Sequence, residues 1–216
     1  MKTRPYVVRA GDYLTQLGHR HGFDPEVAWQ HPKNAALRAL RHDPELLAPG
    51  DVVHMPETAR PAFDLAPGTS RRFKARRARV DVRVVLRVGD EALANEPFTI
   101  EGAGGPITGQ TDDAGTLRAS VPIDARLLRV KLLKRGSAFD LRLGELDPVT
   151  EETGQRQRLE HLGYLEHESG APRADSVTAR TRTRVAVEAF QRARGLPVTG
   201  DADEATQRAL TEAHGS

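Results

Sequence analysis

The chain has 216 residues, of which 38% are hydrophobic, 5% aromatic and 29% charged, and its formal net charge is +2. This length exceeds one minimal module, and three small units would fill it. The sequence contains no cysteine, which excludes disulfides, thiolate metal ligands and a cysteine nucleophile. No apolar run approaches the roughly 20 residues that a membrane-spanning helix needs, so no membrane span is expected.

The N-terminus, MKTRPYVVRAGD, carries basic side chains but neither an apolar segment nor a small-residue cleavage site. Secretory signal peptides need both of these features. We therefore expect that the chain is synthesised in the cytoplasm without such a signal.

A strand, two helices and a second strand are predicted in the first part of the chain. Tyr6–Val8 form a β-prone run, and apolar residues at helical spacing follow it. Asp12 is the predicted N-cap of this first helix and Gly22 its C-terminal stop. A second helix is predicted after Asp24-Pro25, and an apolar strand at 52–56 closes the segment.

This order of elements, with YVVRAGDYL at its start and LLAPGDVVHMP at its end, resembles the LysM domain. Residues 1–57 are therefore predicted to be a βααβ LysM-like module. The resemblance implies binding of N-acetylglucosamine-containing glycans such as peptidoglycan, in a shallow groove between the loop after the first strand and the loop before the second. The glycan-binding residues that it implies in these loops are Gly11, Asp12, Tyr13, Leu14, His31, Pro32, Asn34 and Leu47.

Trp29 is the only tryptophan of the chain, and two roles suit it. An indole face is a good apolar partner for a sugar ring. In a module this small, however, a large aromatic side chain more often anchors the core. We therefore predict that Trp29 is a core residue.

Residues 58–78 are predicted to be a Pro/Arg-rich linker, and 79–146 a small β-sandwich. Valines alternate with charged residues from Val80 onwards, which is the period-two pattern of a strand with one buried face. Further strands are predicted in PFTIEG, GTLRASVPI, LLRVKLL and FDLRLGEL, with turn clusters between them. The stretch from Glu96 to Thr116 resembles the carboxypeptidase-regulatory or prealbumin-like sandwich.

A basic run extends from Arg71 to Arg83 and includes one aromatic residue, Phe73. Single-strand nucleic-acid platforms combine positive charge with several stacking aromatic side chains. This run lacks that combination, so no nucleic-acid partner is expected.

Three short helices are predicted at 150–214. Leu159 and Leu162 mark the first helix, Phe190 lies on the apolar stripe of a longer second helix that Gly195 ends, and the third helix starts at residues 201–204 with a capping-box-like pattern.

The phrases RLEHLGYL, TRVAVEAFQRARGLPVTG and DEATQRAL closely resemble the peptidoglycan-binding domain that often accompanies amidases and lytic enzymes. The resemblance implies a three-helix module that contacts the peptide or the glycan of peptidoglycan through loops around its helix termini. The residues that it implies for this contact are Tyr164, Asp175, Phe190, Gln191, Leu196 and Thr199.

The fold class predicted for the whole chain is multidomain α+β. The sequence contains no HExxH and no GxSxG, and its acidic residues occur mainly in caps, turns and solvated helix faces. We therefore expect no catalytic residue, no metal site and no cofactor, and predict that the chain is not an enzyme.

Over nearly its whole length the chain also resembles accessory proteins of type VI secretion and related contractile injection clusters. The segments that carry this resemblance are WQHPKNAALRALRHDPELLAPGDVVHMP and LGELDPVTEETGQRQRLEHLGYL. It implies delivery to the periplasm and a secretion spike or effector as a further partner. Two functions stay open: a wall-binding accessory protein, and an adaptor or chaperone that loads an effector onto the spike with degenerate wall-binding folds.

Overall fold

The computed structural model describes residues 1–57, 70, 77–89, 91–166 and 177–215. Helices and strands both contribute to it, as a mixed α and β class requires. No helix in this described part has the length and apolar character needed to cross a membrane.

The chain divides into two compact units. The first joins Met1–Leu86 with Ala92–Glu145, and the second joins Arg87–Glu91 with Leu146–Ser216. The N-terminal helical part and most of the β-rich part therefore belong to one unit.

The N-terminal part of the first unit is a two-stranded sheet with helices between its strands. Strand β1 (Thr3–Val7) pairs antiparallel with β2 (Val52–Pro56). Between them lie helix α1 (Leu14–His21), helix α2 (Pro25–Trp29), a 3-10 turn (Pro32–Asn34) and helix α3 (Ala35–Arg41). The segment before β2, which the LysM resemblance implies to be a loop, thus contains the further helix α3.

The prediction that Asp12 caps α1 is wrong, because Tyr13 is the N-cap residue and makes no side-chain cap bond. The Asp12 carboxylate accepts hydrogen bonds from the backbone N–H of Arg9 at 3.0 Å and the hydroxyl of Tyr6 at 2.7 Å. Burial alone would raise the pKa of Asp12, but these bonds and the Arg20 guanidinium hold it below its usual value. Asp12 therefore fixes the β1–α1 loop rather than the helix terminus.

Gly22, Asp24 and Trp29 have the structural roles that were predicted for them. Gly22 ends α1 with a φ of 75°, a conformation that glycine adopts without the steric cost of a Cβ. The Asp24 side chain accepts a hydrogen bond of 2.9 Å from the backbone N–H of Glu26 at the start of α2. Trp29 is buried, as predicted. It shares a core with Val8, Leu14, Leu17, Phe23, Ala28, Leu37, Leu47, Val53 and Met55.

The β-rich part forms several small sheets. Its strands are β3 (Arg79–Val85), β4 (Arg87–Val88), β5 (Glu91–Ala92), β6 (Pro97–Glu101), β7 (Ile107–Gln110), β8 (Thr116–Pro122), β9 (Leu127–Leu132) and β10 (Ser137–Arg142). The largest sheet has the order β10-β9-β6-β7, while β3 pairs with β8 and β4 with β5. Buried side chains of β6, β8 and β9 share one apolar core.

The described residues of the second unit form three helices at the predicted places: α4 (Glu152–His161), α5 (Val177–Ala193) and α6 (Glu204–His214). Asp203 caps α6, because its carboxylate accepts a hydrogen bond of 2.8 Å from the backbone N–H of Thr206. The helices enclose a small core of Leu159, Ala186, Val187, Phe190 and Leu210.

Candidate functional site

A cleft of about 370 Å³ opens in the second unit between the C-terminal exit of α4 and one face of α5. One wall comes from α4 and the residues that follow it, and the other wall comes from α5. The lining residues are Arg156, Tyr164, Leu165, Glu166, Ala179, Thr181, Arg182, Val185, Ala186 and Ala189.

The floor of the cleft is apolar because of the residue spacing on α5. Ala179, Arg182, Ala186 and Ala189 recur every three or four residues, so they share one face of the helix. The short alanine side chains leave open space where larger residues would fill the groove. Arg182 brings a positive charge to this otherwise apolar face.

Arg156 is the best-defined polar group of the opposite wall. Its terminal nitrogen Nη2 lies 3.9 Å from Glu160 Oε1, and its side chain is 18% exposed. Its Nε atom is shielded from solvent and finds no hydrogen-bond partner among the described residues. A buried donor without a partner costs about 1–3 kcal/mol, so this guanidinium gains from any acceptor that reaches it.

Tyr164 is a half-buried aromatic residue that lines the cleft. Its ring is perpendicular to that of Phe190, with 5.4 Å between the ring centroids. This edge-to-face geometry is the favourable one for two aromatic rings. Phe190 itself is fully buried, so of this pair only Tyr164 borders the cleft.

Gln191 is a buried anchor for the loop between α5 and α6. Its amide nitrogen lies within hydrogen-bonding distance of the Thr199 hydroxyl at 3.0 Å, the Asp201 carbonyl at 2.9 Å and the Thr206 hydroxyl at 3.0 Å. Its amide oxygen accepts from the backbone N–H groups of Thr199 and Gly200 at 2.9 and 3.0 Å. With both ends of the amide engaged, Gln191 has a structural task in this loop.

Leu196 and Thr199, which were also predicted for the C-terminal module, are not among the lining residues of the cleft. Leu196 packs against the helical core and Thr199 bonds to Gln191. Asp175 lies outside the described residues. Of the predicted set, the structure thus places Tyr164 alone among the described lining residues.

Sequence reasoning missed Arg156, Glu166 and Arg182. One signal was available for Arg182, since a basic residue on the same helical face as Ala179 and Ala186 interrupts an apolar stripe. No comparable pattern marks Arg156 or Glu166, because their relation to α5 depends on the packing of two helices.

In residues 1–57, several side chains that were predicted to bind glycan are buried or hydrogen-bonded within the protein. Leu14 and Leu47 belong to the apolar core. The Asn34 amide bridges the 3-10 turn and β2: its nitrogen donates to the carbonyl oxygens of Ala28 and His54, and its oxygen accepts from the backbone N–H of His54 at 2.8 Å. Buried polar groups need such partners.

Two other residues that were predicted to bind glycan are more exposed to solvent. His31 is half-buried, and its Nδ1 accepts a hydrogen bond of 3.2 Å from the backbone N–H of Lys33. Pro32 is exposed. The glycan-binding role of these residues stays a prediction.

The loop after β1 packs against the β-rich part of the same unit. The Tyr13 hydroxyl donates to the Ile123 carbonyl oxygen at 2.9 Å, and Arg126 donates to the Gly11 carbonyl oxygen at 2.9 Å. A Cβ added at Gly144 would lie 2.8 Å from the Gly11 carbonyl oxygen, so only glycine fits this approach. Burial raises the pKa of the Tyr13 hydroxyl. The loop that the LysM resemblance assigns to glycan is therefore in contact with protein.

No metal site accompanies these features in the described ranges, where no three His, Asp or Glu side chains come together in a way that could hold an ion.

Comparison with known families agrees with the helical geometry. Residues 156–210 match the family model described as a putative peptidoglycan binding domain. The match runs from α4 into α6 and spans both walls of the cleft. The chain therefore contains a domain of this class, as predicted from its sequence. Neither a curated protein nor a solved structure matches the chain.

Proposed function

We propose that the chain is a non-catalytic accessory protein that binds peptidoglycan through its second unit. The observation that carries this proposal is the family match over 156–210, a range that includes every residue lining the cleft between α4 and α5. The cleft combines an apolar floor with a few charged groups on its rim, as small-ligand sites commonly do.

The test is sedimentation of the purified full-length chain with insoluble peptidoglycan sacculi. We expect the chain to pellet with sacculi and to stay in the supernatant without them, whereas serum albumin stays in the supernatant in both cases. Failure to pellet at low salt would overturn the proposal. Release of soluble fragments from dye-labelled sacculi would overturn its non-catalytic part.

The proposal includes a LysM-like module at 1–57 and a β-sandwich at 79–146. Support for the module comes from the antiparallel pairing of β1 with β2 around intervening helices. Support for the sandwich comes from the apolar core that joins β6 and β9 of the large sheet to β8 of another. Binding of N-acetylglucosamine-containing glycan by the first module is part of the same proposal.

A link to type VI secretion or a related contractile injection system also belongs to the proposal, with synthesis in the cytoplasm and delivery to the periplasm. Its support is the sequence resemblance of the segments around Trp29–Pro56 and Leu143–Leu165.

A second candidate function is an adaptor that holds an effector or a spike protein. The hydrogen bond between Tyr13 and Ile123 favours it, since a loop occupied by protein is less available to a sugar. Co-expression with an effector or spike protein from the same gene cluster tests this alternative. A stable complex that chitotetraose does not disturb would support the adaptor, and the absence of any complex would contradict it.

A further inference from the structure

Strand β3 of the first unit has an open edge. It pairs antiparallel with β8 over its whole length, Arg79–Val85. Within the described residues, β8 is the one strand that pairs with β3. An unpaired strand edge presents a row of backbone N–H and C=O groups to which another chain can bond. The second edge of β3 can therefore accept a further strand.

The odd-numbered residues of β3 direct their backbone groups to this open edge. Just after the strand, the N–H of Leu86 donates to the Gly115 carbonyl oxygen at 2.9 Å, and just before it the Ala78 carbonyl oxygen accepts from the N–H of Ile123 at 3.0 Å. In an antiparallel pair, residues that bond to the partner strand alternate with residues that do not. The even-numbered positions of β3 therefore bond to β8. The positions with backbone groups at the open edge are Arg79, Asp81, Arg83 and Val85.

The valines on the inner face of β3 are only half-buried. Val80, Val82 and Val84 pack against the apolar core of the β-rich part, yet each keeps some exposed surface. The residues opposite them on β8 are all buried: Val121, Ala119 and Leu117. A strand added at the open edge would cover the remaining valine surface, and burial of apolar surface favours association.

Exposed charges alternate with these valines on the outer face of β3. Asp81 and Arg83 are both exposed, and neither forms an ion pair with another described residue. Arg83 lies directly opposite Arg118 of β8, and like charges at directly opposite positions are destabilising. A strand that places a carboxylate on the other side of Arg83 would offset this repulsion.

The sequence of β3 supplies such a strand, because it is complementary to itself. When two copies pair antiparallel about a two-fold axis at Val82, all seven residues of the strand overlap. Asp81 of each copy then lies opposite Arg83 of the other, and valines lie opposite valines on the inner face. The ladder of this pairing uses the odd-numbered residues, whose backbone groups already point to the open edge. An axis at Asp81 or at Arg83 would instead set that charge against its own copy.

We propose that two copies of this chain associate through β3, in antiparallel register about Val82, to form a continuous sheet in the order β8-β3-β3-β8. Pairing occupies the open β3 edge of both copies, so its two-fold symmetry closes the assembly at a dimer. The dimer carries two copies of the domain at 156–210, which would allow attachment to an insoluble polymer at two points. The pairing itself does not depend on what that domain binds.

Sedimentation equilibrium of the purified full-length chain over a concentration series tests the association. We expect the mass to rise from the 23.7 kDa of one chain to twice that value and no further. The mass of one chain at every concentration would overturn the proposal, and so would a mass that continues to rise beyond two chains. This measurement needs no variant.

Charge reversal tests the register. Asp81→Arg and Arg83→Asp each place like charges opposite one another at two positions, so each variant alone should form a dimer at least about tenfold weaker than that of the unaltered chain. An equimolar mixture of the two variants restores both pairs of opposite charge, and it should associate about as tightly as the unaltered chain. A mixture that associates no more tightly than the separate variants would overturn the register.

Arg142→Asp is the matched control for charge reversal. Arg142 is an exposed arginine on β10, which is the edge strand of the other sheet. This variant should change the dissociation constant of the dimer by less than about twofold. A loss as large as that of Arg83→Asp would show that net charge, rather than the pairing of β3, controls association. Thermal unfolding of each variant shows whether it remains folded.

Cross-linking gives a second test of the register. The chain has no cysteine, so an introduced thiol reports on one position. On the two-fold axis, Val82 faces its own copy in a non-hydrogen-bonded pair, with Cα atoms about 4.5 Å apart, a separation that a disulfide can span. Val82→Cys should therefore form a disulfide-linked dimer under mild oxidation, whereas Val80→Cys, two residues away on the same face, should stay largely unlinked. Equal cross-linking of the two variants would contradict the proposed pairing.

Discussion

The hydroxyl of Tyr13 donates a hydrogen bond of 2.9 Å to the carbonyl oxygen of Ile123, which lies 110 residues later in the chain. The Gln16 amide reaches the same oxygen at 3.4 Å. Tyr13 belongs to the loop that a LysM-like module would offer to a glycan, and here it is buried against the β-rich part. Glycan binding in this loop would therefore require the two parts of the first unit to separate.

Gly144→Ala tests the contact between these parts. Gly144 and Gly136 both have positive φ values, 75° and 62°, so alanine is strained at either position. A Cβ at 144 would also meet the Gly11 carbonyl oxygen at 2.8 Å, whereas a Cβ at 136 meets nothing within 4 Å. We expect Gly144→Ala to lower the free energy of unfolding by about 1–3 kcal/mol more than Gly136→Ala, as measured by urea denaturation.

The same pair of variants separates the two candidate functions. If the first module binds glycan once released, Gly144→Ala should bind chitotetraose more tightly than Gly136→Ala does. Equal stability of the two variants would show that the contact of the β1–α1 loop with Gly144 contributes nothing to folding.

Local signals in the sequence predicted local structure well. Gly22 and Asp24 bound their helices because positive φ and side-chain capping depend on a few neighbouring residues. The capping role predicted for Asp12 was wrong because its carboxylate accepts hydrogen bonds from the Tyr6 hydroxyl and the Arg9 backbone N–H instead of from the start of α1.

The residues of the candidate site could not all be predicted from the sequence, because their roles depend on tertiary contacts. Phe190 and Gln191 follow the family pattern, yet one fills the core and the other bonds the loop before α6. The cleft charges of Arg156 and Glu166 depend on how α4 and the residues after it meet α5, which no sequence period encodes. The family resemblance therefore predicted where the domain lies in the chain, but it did not predict which residues line the cleft.

Gln191→Met tests the anchoring role of the buried amide. Methionine has a similar volume but leaves the backbone N–H groups of Thr199 and Gly200 without their acceptor. We expect a loss of about 3 kcal/mol in the free energy of unfolding. Gln207→Met is the matched control, since the Gln207 amide donates to the Ala202 carbonyl at 2.8 Å on a partly buried helix face, and it should cost about 1 kcal/mol. Similar losses in the two variants would contradict the anchoring role.

Asp51→Asn tests the buried ion pair that joins α3 to the start of β2. The Arg41 guanidinium binds both oxygens of Asp51, at 2.8 and 2.9 Å. Removing the charge of Asp51 takes this carboxylate away from the buried Arg41 guanidinium, so we expect a loss of about 3–5 kcal/mol in the free energy of unfolding. Asp140→Asn breaks the exposed pair with Arg129 and should cost less than about 1 kcal/mol. Urea denaturation of both variants measures these losses in the free energy of unfolding. A loss for Asp51→Asn as small as that for Asp140→Asn would contradict the prediction.

The histidine pair of the second unit predicts a dependence of stability on pH. His161 Nδ1 and His214 Nε2 lie 2.8 Å apart, which requires one ring to donate and the other to accept. Burial, His161 and the Arg158 guanidinium lower the pKa of His214 from 6.5 to about 4. At pH values between about 4 and 6.5, His214 is protonated in the unfolded chain but neutral in the folded unit. The free energy of unfolding therefore falls as the pH falls from about 6.5 to about 4.

Because the His214 ring is only partly buried, screening by water limits this loss to about 1–2 kcal/mol. Urea denaturation at a series of pH values measures it, with His214→Gln as the variant that removes the titrating group. The difference between the unaltered chain and His214→Gln should shrink toward pH 4. Parallel profiles for the unaltered chain and His214→Gln would mean that His214 takes up its proton equally in the folded and unfolded states, and the pair would then have no role in the acid sensitivity of this unit.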